Sequence, residues 1–294
     1  MLKRIIGTPV REKIELEISN MTKRLDCKNI VPTIATIRVG NNAGDIYYEK
    51  SIIKKSKKYG ICCKTFIYKD GIEQNILENN IKMINSDDSI HGIILLMPFP
   101  KYIDSNRIKN IISFEKDVDA ITDSSLAALL SGNEKSFHPC TAESCMEILK
   151  YYGYNLQGKK VAIIGRSLRV GKPLLLMMMN KNATVTVCHT KTLEKDSIEI
   201  CKNADIVILA TGQTEYFGNS FFRNGQVVID VGTGIGADGK IAGDLDVNNI
   251  ISENEISEFT YSPVPGGVGT VTTAILLRNV VTAAERGSAV AERK

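Results

Sequence analysis

Residues 159–173, KKVAIIGRSLRVGKP, limit the fold more than any other part of the chain. The apolar run from Val161 to Ile164 stops at Gly165, and Gly171 and Pro173 follow shortly after. This reads as a strand, a tight turn and the start of a helix. Gly165 lets the chain turn sharply and lets backbone come close to a ligand. Pro173 suits the first turn of a helix, where its missing N–H costs nothing. The unpaired N–H groups of such a helix start favour an anion, for instance a phosphate. The pattern is G-x-S-x-x-x-G and not G-x-G-x-x-G. On its own it fits a nucleotide-binding turn and an ordinary β–turn–α connection equally well.

The chain of 294 residues is long enough for one large or two ordinary domains. With 43% hydrophobic and 24% charged residues it has the composition of a soluble globular protein. The net charge of +4 is mild, Lys and Arg are scattered, and Trp is absent, so nucleic-acid binding has little support. No apolar run reaches membrane-spanning length, and the N-terminal stretch lacks the apolar core of a signal peptide. Seven cysteines without a C-x-x-C pair read as reduced thiols in a cytoplasmic protein. Three scattered histidines leave no visible metal site.

Taken in order, residues 8–26 carry Val10, Ile14, Ile18, Met21 and Leu25 at helical spacing. Strands are expected at 34–39 and 61–68 and helices at about 45–58 and 73–86. The run GIILLM at 92–97 suits a strand buried on both faces. This βαβαβ order implies parallel strands with helices on the faces. Residues 113–141 read as loop, containing EKDVDA and HPCT, and a helix follows at about 142–152. A second α/β unit has strands at 161–164, 184–188, 206–210 and 227–231. Residues 259–269, FTYSPVPGGVG, read as a Pro/Gly-rich loop, 270–285 as a final helix, and GSAVAERK as a frayed polar tail. Two α/β units suggest two lobes and a cleft. Ligands of open α/β sheets sit beyond the carboxyl ends of the strands. That rule selects Tyr48, Pro98, the 115–120 loop, Gly165 and Gly232.

Several separated stretches together resemble the methylenetetrahydrofolate dehydrogenase/cyclohydrolase family. They are VGNNAGDIYYEKS (39–51), HGIILLMPFP (91–100), EKDVDA (115–120), HPCTAESC (138–145), VAIIGRSLRVGKP (161–173), ATVTVCHTKT (183–192), ADIVILATGQ (204–213), VVIDVG (227–232) and SPVPGGVGTVT (262–272). Their order and spacing fit over about residues 5–285. The resemblance implies a folate-binding lobe of residues 1–141 plus 270–294. It also implies a Rossmann-like NAD(P)-binding lobe of residues 142–269, and a homodimer formed through the cofactor lobes. It implies two reactions: hydride transfer from methylenetetrahydrofolate to the nucleotide, then addition of water to the methenyl product to give formyltetrahydrofolate.

Carried over residue by residue, Tyr48 lies against the folate, where an aromatic face suits a ring that becomes cationic. Asp119 holds the pterin edge through paired, charge-assisted hydrogen bonds. Pro98, Pro265, Gly266 and Gly267 shape the folate pocket. Gly165, Arg166, Ser167 and Gly171 fall on the dinucleotide loop. Arg166 is placed for a 2′-phosphate, which an arginine fork suits, and Thr190 can add a hydroxyl. An acidic residue there would bind a free 2′-hydroxyl instead. CHTKT has none, which favours NADP over NAD. Thr211, Gly212, Asp230 and Gly232 are assigned to the nicotinamide side.

Two departures from the family pattern bear on chemistry. The family has Tyr-x-x-x-Lys on the second helix, with the lysine assigned to the cyclohydrolase step; here that position is Ile52. The family glutamine that partners the lysine is Leu96. An ion and its polar partner have both become aliphatic, and neither replacement can transfer a proton. The expected activity is therefore dehydrogenation with little or no cyclohydrolase step. Two alternatives stay open: the full bifunctional enzyme, with Lys55 reaching back, and a non-catalytic folate- or nucleotide-binding protein. Smaller departures are Ala120, Ala142 and Thr270-Val271, where the family has Gly, Pro and Pro-Met.

Overall fold

The structure, a computed structural model, describes residues 2–133, 135–236, 238–252, 256 and 258–291. The chain divides into two compact units, Met1–Glu12 with Pro139–Thr272 and Lys13–His138 with Thr273–Lys294. It opens with β1 (Leu2–Arg4) and α1 (Thr8–Asp26). Then come β2 (Thr33–Val39), α2 (Ala43–Lys58), β3 (Cys62–Tyr68), α3 (Gln74–Ser86) and β4 (Gly92–Leu95). The helices α4 (Ser105–Lys109), α5 (Asp123–Leu130) and α6 (Cys140–Tyr151) lead to β5 (Lys160–Ile164). After it run α7 (Gly171–Met179), β6 (Thr184–Cys188), α8 (Glu194–Asn203), β7 (Ile206–Leu209) and β8 (Gln226–Asp230). The chain closes with β9 (Gly234–Ile235), β10 (Ile241–Ala242), α9 (Val247–Ser252), β11 (Phe259–Ser262) and α10 (Thr272–Ala291).

The unit that starts at Lys13 holds a parallel sheet in the order β3-β2-β4. Side chains alternate across its faces. Ala35, Ile37 and Val39 of β2 and Ile93 and Leu95 of β4 share one core with Leu77, Ile81 and Ile84 of α3. Those three α3 residues recur at spacings of four and three, which put them on one helix face. The other face of β2 carries Thr36 and Arg38, and α2 covers it, because Glu49 of α2 bonds to both. The 115–120 loop is fixed against β4. A Cβ on Gly92 would lie 2.6 Å from the Val118 side chain, so only glycine admits the loop there. Asn279 of α10 donates to the Val118 carbonyl at 2.9 Å.

The second unit holds six parallel strands in the order β1-β11-β8-β7-β5-β6. From β5 the chain runs outward to β6, then returns to β7 on the other side of β5. The direction of strand order thus reverses between β5 and β7, where open α/β sheets bind ligands. Among the described residues no helix is long and apolar enough to cross a membrane.

Several expectations need correction. Leu2–Arg4, expected in the first lobe, form β1 and lie in the six-stranded sheet, because β1 pairs with β11. β11 itself occupies Phe259–Ser262, within the stretch read as loop. Strands this short carry too few residues to show a period. α5 forms inside the segment read as loop, started by Thr122, whose hydroxyl accepts from the Ser125 N–H. α10 runs on through residues 287–291 of the stretch read as a tail; residues 292–294 lie outside the described residues.

Candidate functional site

In the three-stranded unit the folate candidates sit on three elements. Tyr48 is half-buried on α2, the helix that Asn42 starts by accepting from the Gly44 and Asp45 N–H groups. Pro98 is exposed just beyond β4, after a cis peptide bond. Asp119 is half-buried on the 115–120 loop. Its neighbour Asp117 is a brace: fully buried, it accepts from Ile121 N, Thr122 N and the Ser125 hydroxyl at 3.1, 2.9 and 2.7 Å. Ala120 adopts φ +50°, a left-handed conformation that the family glycine takes more cheaply.

Ile52 is wholly buried on α2, and Leu96 is 3% exposed. The Leu96 N–H donates to the Ile37 carbonyl, which extends the β2–β4 pairing by one residue. By the alternation of the strands, Leu96 faces the same side as Thr36 and Arg38, the side α2 covers. The same layer holds a buried ion pair that the sequence reading missed. Arg38 Nε lies 3.1 Å from Glu49 Oε2, each side chain 6% exposed. The Thr36 hydroxyl donates to Glu49 Oε1 at 2.9 Å, and Arg38 also donates to the Gly40 carbonyl and to Asn41 Oδ1. The available signal was the pairing of polar Thr36 and Arg38, two apart, within the apolar run of residues 34–39.

In the six-stranded unit Gly165 ends β5 with φ +135°, and a Cβ there would lie 2.4 Å from the Ala210 carbonyl oxygen. A Cβ on Gly171 would lie 2.0 Å from the Gly165 carbonyl oxygen. Both glycines are therefore demanded by close backbone packing at the strand-order reversal. Arg166 and Ser167 are exposed on this turn. The Ser167 hydroxyl accepts from Val170 N at 3.1 Å, so it also shapes the loop. Beyond β6, β5 and β7 a cavity of about 210 Å³ is lined by Thr190, Ile164 and Thr211, with Phe217 and Phe221 as an aromatic wall. Glu194 and Tyr216 complete its rim. Hydroxyls around an apolar, aromatic slot suit a nucleoside, whose base is planar and whose sugar is a polyol.

Thr211, Gly212, Asp230 and Gly232 are drawn together by two buried carboxylates. Asp244 Oδ2 accepts from Thr211 N, the Thr211 hydroxyl and Gly212 N at 2.7, 2.9 and 3.2 Å. Asp230 accepts from Gly232 N, Asp244 N and Leu245 N at 3.0, 3.1 and 2.9 Å. Asp230 is 2% exposed and braces the loops, and it also lines a cavity of about 340 Å³ with Ser262 and Val264. Burial pushes its carboxyl up to about 6, against the three N–H bonds that lower it. A Cβ on Gly232 would lie 2.0 Å from Asp244 Oδ1. Pro265, Gly266 and Gly267 belong to this unit too. Their loop is held by the Gly7 N–H, which donates to the Gly266 carbonyl at 2.8 Å, and a Cβ on Gly7 would collide with the Gly267 oxygen at 2.2 Å. Asp244 and Gly7 escaped the sequence reading.

Residues 5–119 match the family description "Tetrahydrofolate dehydrogenase/cyclohydrolase, catalytic domain", and residues 139–288 match its "NAD(P)-binding domain". The bifunctional protein FolD of Clostridium botulinum strain Langeland is 40% identical over 292 residues, covering 98% of this chain and 100% of that protein. The crystal structure of the bifunctional enzyme FolD, methylenetetrahydrofolate dehydrogenase/cyclohydrolase, from Campylobacter jejuni is 36% identical with TM-score 0.91, covering 97% of this chain and 99% of that one. The methylenetetrahydrofolate dehydrogenase-cyclohydrolase of Trypanosoma brucei, solved with NADP cofactor and inhibitor, is 29% identical with TM-score 0.89, covering 97% and 98%. With both halves matched and full-length relatives of this closeness, the chain belongs to the tetrahydrofolate dehydrogenase/cyclohydrolase family.

Proposed function

We propose that the chain is an NADP-dependent methylenetetrahydrofolate dehydrogenase that lacks the cyclohydrolase step. The observation that carries this reading is the burial of Ile52 and Leu96, at 0% and 3% exposure, in the positions assigned to the family lysine and glutamine. Adding water to a methenyl carbon needs a side chain that takes up and releases protons. Two aliphatic side chains packed in a dry layer cannot do so. The buried ion pair of that layer, Arg38 and Glu49, is spent on itself. A guanidinium keeps its protons in proteins, so Arg38 is no substitute for a lysine.

Hydride transfer asks less of these residues, because positioning supplies much of the rate. Tyr48 offers its ring to the folate as that ring turns cationic. Asp119 accepts the two adjacent N–H groups of the pterin edge and fixes its orientation. Bound NADP supplies the hydride acceptor. The 165–171 turn and the cavity beside Thr190 would hold its adenosine half, with Arg166 on the 2′-phosphate. Asp230 and Asp244 act at one remove, by setting the loops at the ends of β7 and β8.

Reduction of NADP on adding methylenetetrahydrofolate to the purified chain, followed by the absorbance of the reduced nicotinamide, tests the dehydrogenase. Binding of both without any reduction would favour a non-catalytic binding protein. Arg166→Ala should weaken NADP binding roughly ten- to hundredfold, the size of a hydrogen bond to a charged group of about 1.5–3 kcal/mol. NAD binding should stay within about twofold, since the neutral 2′-hydroxyl offers no charge to lose. Titration calorimetry reads both, and an unchanged NADP affinity would remove Arg166 from the site.

A further inference from the structure

The segment CHTKT has no acidic residue, yet Glu194 lines the same cavity as Thr190. It is the first residue of α8, and its side chain would ordinarily trail into solvent. Here the Tyr216 hydroxyl donates to Glu194 Oε1 at 2.7 Å. Tyr216 lines the cavity from the opposite strand connection, after β7. Its ring packs edge-on against Phe217, with centroids 5.0 Å apart at 80°. Phe217 packs the same way against Phe221 at 4.9 Å, and both phenylalanines are buried. The hydroxyl is thus presented from an anchored wall, and it holds Glu194 in the lining of the cavity that Thr190 also lines. The Tyr216 hydroxyl in turn holds its own proton more tightly because of Glu194.

We propose that Glu194, clamped by Tyr216, is a specificity-determining residue of the nucleotide cavity. Its carboxylate accepts from a free ribose 2′-hydroxyl and repels a 2′-phosphate, in the way an acidic residue selects NAD in other open α/β sheets. It therefore opposes Arg166, and the chain separates NADP from NAD less sharply than Arg166 alone would dictate. This inference rests on the cavity being the adenosine end of a nicotinamide nucleotide site.

The test is titration calorimetry of the full chain with NADP and with NAD, without folate, on wild type, Glu194→Gln, Tyr216→Phe and the double variant. Glu194→Gln should raise the ratio of NADP to NAD affinity about tenfold, by removing a like charge near the phosphate. Tyr216→Phe frees Glu194 to turn to solvent, so it should move the ratio the same way by about threefold. The double variant should match Glu194→Gln, because the clamp then holds no charge; neighbours that act together are not additive. A ratio within twofold of wild type in Glu194→Gln overturns the inference. So does a Tyr216→Phe effect that is as large in the Glu194→Gln background as in wild type. Absence of binding heat with either nucleotide in folded wild-type protein overturns the cavity reading itself, which is a different outcome from an unmoved ratio.

Discussion

Glu49→Met should destabilise the protein by about 3–5 kcal/mol, because it leaves the Arg38 guanidinium buried without its counter-charge. Arg38 is 5% exposed and cannot swing into water without opening the α2 layer. The Gly40 carbonyl and Asn41 would still accept from it, but neither carries charge. The Thr36 hydroxyl would lose its acceptor as well. The triple change Thr36→Val, Arg38→Met, Glu49→Met removes the three buried side chains of the network at similar volume, and should cost little or even stabilise. Urea unfolding of the two variants beside wild type reads the difference. A loss under about 1 kcal/mol for Glu49→Met would mean that the pair is open to water. Glu49 adjoins Tyr48 and shares the inner face of α2 with Ile52, so the network also fixes the helix that presents the folate candidates.

Gly171→Ala should break the turn that begins the nucleotide site. Its Cβ would lie 2.0 Å from the Gly165 carbonyl oxygen and 2.6 Å from the carbonyl carbon, both backbone atoms that cannot rotate aside. Relief requires the 165–171 turn to move away from α7. Overpacking of this kind costs about 1–3 kcal/mol, and the shifted turn should weaken NADP binding at least about tenfold, since a displaced loop no longer presents its N–H groups to phosphate. Gly287→Ala is the matching control. It lies exposed in α10, where an added Cβ meets nothing within 4 Å, and should stabilise by about 0.5–1 kcal/mol. Thermal unfolding of the two variants should move in opposite directions, and NADP affinity should fall in Gly171→Ala alone. Wild-type affinity in Gly171→Ala would show that the turn has room to spare.

The parts of the fold that could be read from the sequence are those where local pattern and tertiary environment agree. The continuous apolar runs at 161–164, 206–209 and 227–229 are strands buried on both faces, and Gly165 and Gly171 stand where backbone meets backbone. β1 and β11 were not legible, because three or four residues carry no period and their pairing is set by distant partners. The site divides in the same way. Ile52 and Leu96 stood out as residues of the wrong chemistry at positions of known meaning. Arg38 and Glu49, Asp230 and Asp244, and Glu194 and Tyr216 are pairs made by folding. None of these six residues shows its partner in the sequence, and only proximity gives the pair its role. Asp230 was singled out for its place at a strand end, but its carboxylate is turned inward to three N–H groups.

The folate half of the chemistry turns on what Ile52 and Leu96 have removed. The direct measurement is methenyltetrahydrofolate hydrolysis by the purified protein, set against the spontaneous rate in the same buffer, with NADP reduction by methylenetetrahydrofolate followed on the same preparation. The burial of both aliphatic side chains predicts enzymic NADP reduction together with hydrolysis at the uncatalysed rate. Hydrolysis clearly faster than the spontaneous rate would contradict it, and would mean that another group in the unit does the work of the family lysine.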